Sequence, residues 1–335
     1  MKTTRKIFAL LLALLTVLSF TACGNDDAVL DESVTDAPVT DSVREYKTKI
    51  AAMNGPTGLG LAHIKETRAF AFDVDYYADP QEVAPLLIKG EVDIAALPLN
   101  LAANLYKKTG GKIQMLAINT LGVLHVLSKD ESIKSIADLK GKTVYATGQG
   151  ATPEYIINYI LRKNNLEPGK DVTVEFKSAH NELATLAVEG SVELCILPEP
   201  FASNVLSKNA ELHRVIDLTD EWEKVSTAQL AQGCIVARTD YIQQHPDLLK
   251  EFMMYYEASI SFINNSNNSG IVFLAEYGYF DSAELALATV PNCNIVYMTG
   301  EEMKKTASEN FAVLYEADPA SVGGEIPADG IYYLG

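Results

Sequence analysis

Leu87-Ile88-Lys89-Gly90-Glu91-Val92-Asp93-Ile94-Ala95-Ala96-Leu97-Pro98 ends a helical pattern at a glycine, passes an acidic residue, and runs into an apolar strand that stops at proline. One hundred residues later, Ala187-Val188-Glu189-Gly190-Ser191-Val192-Glu193-Leu194-Cys195-Ile196-Leu197-Pro198 does the same. The glycine supplies a left-handed helix cap without a Cβ penalty. A short apolar run bounded by turn residues reads as a buried strand. A helix–Gly–strand–Pro unit met twice in one chain points to two related α/β lobes.

Outward from the first unit, the pattern predicts strands over 49–53, 72–77, 93–97 and 113–119, separated by helices over 58–67, 80–89 and 101–108. The rhythm restarts near Lys140, with strands over 143–146, 172–176, 193–197 and 213–217 and helices over 153–163, 182–189 and 201–207. Such alternation predicts an α/β fold of largely parallel sheets. A strand over 234–237 follows. The helix over 245–263 has a Phe/Met/Tyr stripe that reads as core packing, and the Asn/Ser cluster at 264–269 breaks it. Helices over 271–277, 283–288 and 302–316 are expected to pack back onto the first lobe.

The start of the chain sets the expected compartment. Lys2, Arg5 and Lys6 precede an apolar run over 7–20, the pattern of a signal peptide over 1–22. Thr21-Ala22-Cys23 then resembles a bacterial lipobox, although Phe20 replaces the usual leucine, and Cys23 is the expected lipidation site. The acidic Ser/Thr/Pro-rich stretch up to residue 45 reads as a flexible tether. Removing residues 1–22 takes the formal charge from −17 to −20. No basic face is left to meet phosphate, so nucleic-acid binding is disfavoured. Cys195, Cys234 and Cys293 have no CxxC spacing and read as buried small hydrophobes, with a Cys234–Cys293 bridge left open.

Several features together resemble the nitrate/sulfonate/taurine-type ABC solute-binding proteins, a group that also holds binders of thiamine-precursor pyrimidines and of riboflavin. They are the lipobox, the Gly55-Pro56-Thr57-Gly58 turn, the unit ending at Pro98, the entry Ala137-Asp138-Leu139-Lys140-Gly141-Lys142, and the turn Leu197-Pro198-Glu199-Pro200-Phe201. The resemblance spans roughly 46–320. It implies a two-lobed, type II periplasmic-binding-protein-like fold with two hinge crossings: 46–128 plus 234–335 as the first lobe and 129–233 as the second. It further implies a monomer, anchored to the membrane by lipid, that binds a small-molecule solute and works with an ABC permease and ATPase, without a cofactor.

In open α/β sheets ligands bind beyond the carboxyl ends of the strands. That rule selects Asn54, Gly55, Pro56, Thr57 and Gly58 after the first strand, and Thr147, Gly148, Gln149, Gly150 and Thr152 in the facing turn. Thr152 before Pro153 reads as an N-cap. Pro98, Asn100 and Glu199 follow equivalent strands; Asn119, Thr120 and Gln232 lie near the crossings. Glu199 as a cleft acid would favour a donor-bearing pyrimidine-like heterocycle over a sulfonate- or nitrate-like anion. Trp222 reads as a loop anchor. His63, His125, His180, His213 and His245 have no metal-ligand spacing, and no G-x-S-x-G elbow is present, so catalysis is not expected. Two alternatives stay open: a sensory or scaffold lipoprotein, and an enzyme of the thiamine-pyrimidine or menaquinone-pathway type on the same fold.

Overall fold

A computed structural model describes residues 46–265 and 267–335. The expected signal peptide, Cys23 and the tether up to residue 45 lie outside the described residues. In chain order the elements are β1 (Thr48–Met53), α1 (Pro56–Leu59), α2 (Ala62–Thr67), β2 (Phe72–Tyr77), α3 (Pro80–Lys89), β3 (Ile94–Pro98), α4 (Leu99–Thr109) and β4 (Ile113–Leu121). Then come β5 (Leu124–Ser128), β6 (Thr143–Thr147), α5 (Thr152–Lys163), β7 (Thr173–Lys177), α6 (His180–Val188), β8 (Leu194–Pro198), α7 (Phe201–Lys208), β9 (His213–Asp217) and α8 (Leu218–Glu223). The chain returns through β10 (Ala231–Arg238), α9 (Thr239–Gln244), α10 (Pro246–Ile263), α11 (Ser269–Glu276), α12 (Ala283–Thr289), β11 (Ile295–Met298) and α13 (Gly300–Ala317).

The sheets have the orders β2-β1-β3-β10-β4-β11 and β7-β6-β8-β5-β9. Slot by slot, the first five strands of each correspond. β1 pairs in parallel with β2 and β3, as β6 does with β7 and β8. The fourth slot is antiparallel in both sheets, filled by β10 and by β5. The expected largely parallel sheets are therefore mixed. The reason is topological: the fourth strand enters from the other lobe and so runs against its neighbours. The strand Leu124–Ser128, assigned from sequence to the first lobe, belongs to the second sheet. The first crossing thus falls at Gly122-Val123, and the return strand starts at Ala231 rather than Cys234.

The two quoted units fold alike. Gly90 and Gly190 adopt φ +74° and +75°. The amides of Glu91 and Ser191 both reach back to the carbonyls of Leu86 and Leu186 at 2.9 Å, a Schellman-type closure repeated in each lobe. The helix expected over 58–67 is broken: α1 and α2 are separated at Gly60-Leu61, where the buried Ser259 hydroxyl donates to the Gly60 carbonyl at 2.6 Å.

Each sheet buries both faces. On one side of the first sheet Ile50, Ala52 and Ile94 meet Phe252, Tyr256 and Ile260 of α10; on the other Ala51, Ala95 and Leu97 meet Leu87, Leu105 and Phe311. The α10 stripe is core, as expected. Each fully buried Ile, Leu or Phe among them contributes about 1.5–3 kcal/mol. Cys234 and Cys293 lie in these opposite layers, so the bridge left open by the sequence is absent; Cys195, Cys234 and Cys293 are free and buried. Trp222 is fully buried, and its indole N–H donates to the Ala228 carbonyl at 2.7 Å, the anchor expected of it.

Candidate functional site

The carboxyl ends of the parallel strands of both sheets meet around a narrow inner space of about 60 Å³. From the first lobe it takes Met53, Pro56, Thr57, Pro80, Pro98 and Thr120, with Gln232 from the returning strand. Val123 and Leu124 reach it from the crossing, and Gly148, Ala151, Pro153, His180 and Pro198 from the second lobe. A wider outer cavity of about 520 Å³ lies beside it, lined by Asn54 and Gly55 together with Tyr76, Phe201, Tyr279 and Phe280. Gly55 adopts φ +95°, a conformation strained for any side chain, and a Cβ there would press on the Phe201 ring at 3.2 Å and touch His180 at 4.0 Å. Phe201 and His180 pack with ring centroids 5.0 Å apart, so this contact forms the wall between the two spaces.

The turn after β1 is held from behind. The Asn119 side-chain amide donates to the Thr57 carbonyl at 2.8 Å, and the Thr120 hydroxyl donates to Asn119 Oδ1 at 3.0 Å. In the second lobe Thr147 Oγ1 lies 2.6 Å from His180 Nδ1. Burial pushes the His180 imidazole down to about 4, so the ring is neutral near pH 7.

Of the residues selected from sequence, Pro56, Thr57, Pro98, Thr120, Gly148 and Gln232 line the inner space and Asn54 and Gly55 the outer one. Asn119 and Thr147 act one layer back, positioning Thr57 and His180. Gly58 touches neither space. A Cβ there would lie 2.1 Å from the Met53 carbonyl oxygen, so its glycine serves the turn's own packing. Thr152 is not the N-cap; Ala151 holds that place, and the Thr152 hydroxyl donates across the lobes to Asn100 Oδ1 at 3.0 Å. The Asn100 amide also donates to the Gly150 carbonyl at 3.2 Å, so Asn100, Gly150 and Thr152 form an inter-lobe clasp. Gln149 is exposed and lines neither space.

Glu199 is the largest correction. Its carboxylate is fully buried but lines neither cavity. It accepts hydrogen bonds from the Ser203 amide and hydroxyl, each at 3.0 Å, and pairs with the Arg214 guanidinium. A carboxylate so satisfied does not face a ligand. His180 is the lining residue that sequence reasoning set aside. The signal for it was present: His180 and Pro198 lie one hundred residues after Pro80 and Pro98, and all four line the inner space.

Among the described residues no group of three or more His, Cys, Asp or Glu is placed to hold a metal ion, and no helix is long and apolar enough to cross a membrane.

A duplicated α/β sheet pair with exchanged fourth strands and a junctional cleft defines a two-lobed binding protein. Residues 60–284 match the family described as ABC transporter, phosphonate, periplasmic substrate-binding protein. The chain belongs to that family of periplasmic, transporter-associated binding proteins. Among solved structures it is similar to an ABC transporter protein from Parabacteroides distasonis, at 25% identity and TM-score 0.68, covering 86% of this chain and 98% of that one. It shares its fold with the aliphatic sulphonate-binding protein SsuA of Escherichia coli, at 13% identity and TM-score 0.64, covering 81% and 87%. It does so also with the alkanesulfonate-binding SsuA of Xanthomonas axonopodis pv. citri bound to MOPS, at 15% identity and TM-score 0.64, covering 84% and 94%. No curated protein matches significantly.

Proposed function

We propose that this chain captures a small solute between its lobes by hinge closure and delivers it to the permease of an ABC importer, held at the membrane by a lipid on Cys23 and acting as a monomer. The observation that carries the reading is the facing of two equivalent strand ends across a cleft that only two chain crossings span. A ligand touching both sides gains contacts that separated lobes cannot give, and so shifts the population toward closure. The family description brings phosphonates forward as candidate solutes, and the sulfonate-binding neighbours bring sulfonates; pyrimidine-like heterocycles remain from the sequence reading.

The test uses the full chain in detergent, stripped of solute by unfolding and refolding. A solute at about 100 times its dissociation constant adds roughly 2.7 kcal/mol, a rise of several degrees in unfolding midpoint for a domain this size. X-ray scattering on the same samples is expected to show a smaller radius with solute. Recovery of the solute unchanged supports a binder; conversion would favour the enzyme alternative. Absence of both stabilisation and compaction across phosphonates, sulfonates, pyrimidines and a small-molecule extract of the source cells would refute the reading. Cys23→Ser is expected to release the protein from membranes.

A further inference from the structure

We infer that the solute is uncharged where it enters the inner space and presents a hydrogen-bond acceptor to the side-chain amide of Gln232. The inference deepens the solute-binding reading and rests on it.

Gln232 stands on β10 beside the return crossing and is 6% exposed. It lines the inner space, yet its Nε2 has no hydrogen-bond partner among the described residues. Buried amide donors are almost always paired, and an orphan one marks a place where a partner belongs. Its surroundings fix the partner's charge. The lining contains no Lys, Arg, Asp or Glu. His180 is neutral there because burial depresses its imidazole. Pro56 in α1, Pro80 in α3 and Pro153 in α5 each remove one first-turn N–H from a helix start at the space, whereas α6, which begins at the lining residue His180, carries no such proline. The chain's formal charge of −17 adds a field that opposes anions.

An anion entering this space would shed its hydration and find no counter-charge among the lining side chains. A carbonyl oxygen or an unprotonated ring nitrogen loses less hydration and gains the Gln232 amide. The withdrawal of Glu199 into its pair with Arg214 completes the argument, since the acid that would have favoured a donor-bearing ligand is elsewhere.

The experiment measures calorimetric binding of four probes to the full chain: the uncharged carbonyl-bearing rings uracil and nicotinamide, and the anions methylphosphonate and ethanesulfonate. The proposal expects an uncharged probe to bind with an affinity that changes less than twofold between 50 and 500 mM NaCl. It expects about three- to tenfold weakening in Gln232→Leu, the range for loss of one neutral hydrogen bond. Gln232→Asn, which withdraws the amide by one methylene, is expected to weaken binding too, with both variants matching the parent's unliganded unfolding midpoint within a few degrees. Binding of an anion with no uncharged competitor overturns the proposal, as does uncharged binding that survives both substitutions. A compaction seen by scattering with an anion alone would retain the solute-binding reading and reject this one. No compaction with any probe or with cell extract rejects both.

Discussion

Asn100 and Thr152 bind one another across the two lobes: the Asn100 backbone N–H donates to Thr152 Oγ1 at 3.1 Å, and that hydroxyl donates back to Asn100 Oδ1 at 3.0 Å. Both residues are almost fully buried. Thr152 begins α5 and Asn100 is the second residue of α4, so the clasp joins the first turns of two rigid elements. One hydroxyl satisfies a backbone donor and a side-chain acceptor only while the lobes touch.

Thr152→Val removes that hydroxyl at nearly constant volume. In the closed state it leaves the Asn100 N–H unpaired, a cost of about 1–3 kcal/mol that opening relieves through water. The expected outcome is a larger radius by X-ray scattering and a roughly 5- to 150-fold weaker solute affinity, with little change in unfolding midpoint. Wild-type radius and affinity in the variant would show that the clasp does not govern closure.

Gly58→Val is expected to damage the fold, not merely the site. The new Cβ would lie 2.1 Å from the Met53 carbonyl and 2.8 Å from the Tyr76 ring. Overpacking against backbone costs about 3 kcal/mol or more, which thermal unfolding will read directly. Gly148→Val, at φ +82° and 3.0 Å from the Pro153 ring, is expected to stay folded at a strain of about 1–2 kcal/mol and to weaken binding. A Gly58 variant as stable as the parent would contradict the packing argument.

Glu199→Gln separates structure from binding. It removes the charge that Arg214 and Ser203 address, and the expected loss is about 1.5–3 kcal/mol of folding stability by urea titration. Solute affinity is expected to stay within twofold. The reverse pattern, full stability with lost affinity, would return Glu199 to the ligand site.

His180 makes stability pH-dependent with a definite sign. Its imidazole falls to about 4 in the folded protein because burial disfavours the cation, while the unfolded chain keeps the ordinary value near 6.5. The unfolded state therefore takes up the proton first. The contribution is fully present above pH 6.5 and is lost as pH falls from about 6.5 toward about 4. For a half-buried ring this amounts to up to about 2 kcal/mol. In urea titrations at pH 7.5, 6 and 5, His180→Gln is expected to lose less stability than the parent. Parallel curves would remove His180 as the source.

The lobes' repeating architecture was legible because local rules encode it. Gly90 and Gly190 end their helices in the left-handed region, and the strands that follow are apolar because both faces are covered. The turns after β1 and β6 were found for the same reason, since strand ends and helix starts are punctuated by Gly and Pro. The site's chemistry was less legible. Glu199 follows β8 much as Asn100 follows β3, and nothing local says that one turns toward Arg214 while the other crosses to Thr152.

The sequence by itself determined the α/β class, the duplication, the core stripe of α10 and the turns that approach the cleft, because each depends on periodicity or on a residue's own backbone preference. Tertiary structure alone decided that β5 and β10 exchange sheets, that Cys234 and Cys293 sit in opposite layers, that Glu199 is paired away from the cleft, and that Gln232 lines the inner space while its buried Nε2 has no partner among the described residues. Those facts depend on which groups meet once the chain is folded, across 52 residues for Asn100 and Thr152 and 15 for Glu199 and Arg214, and such meetings carry no signature in local periodicity.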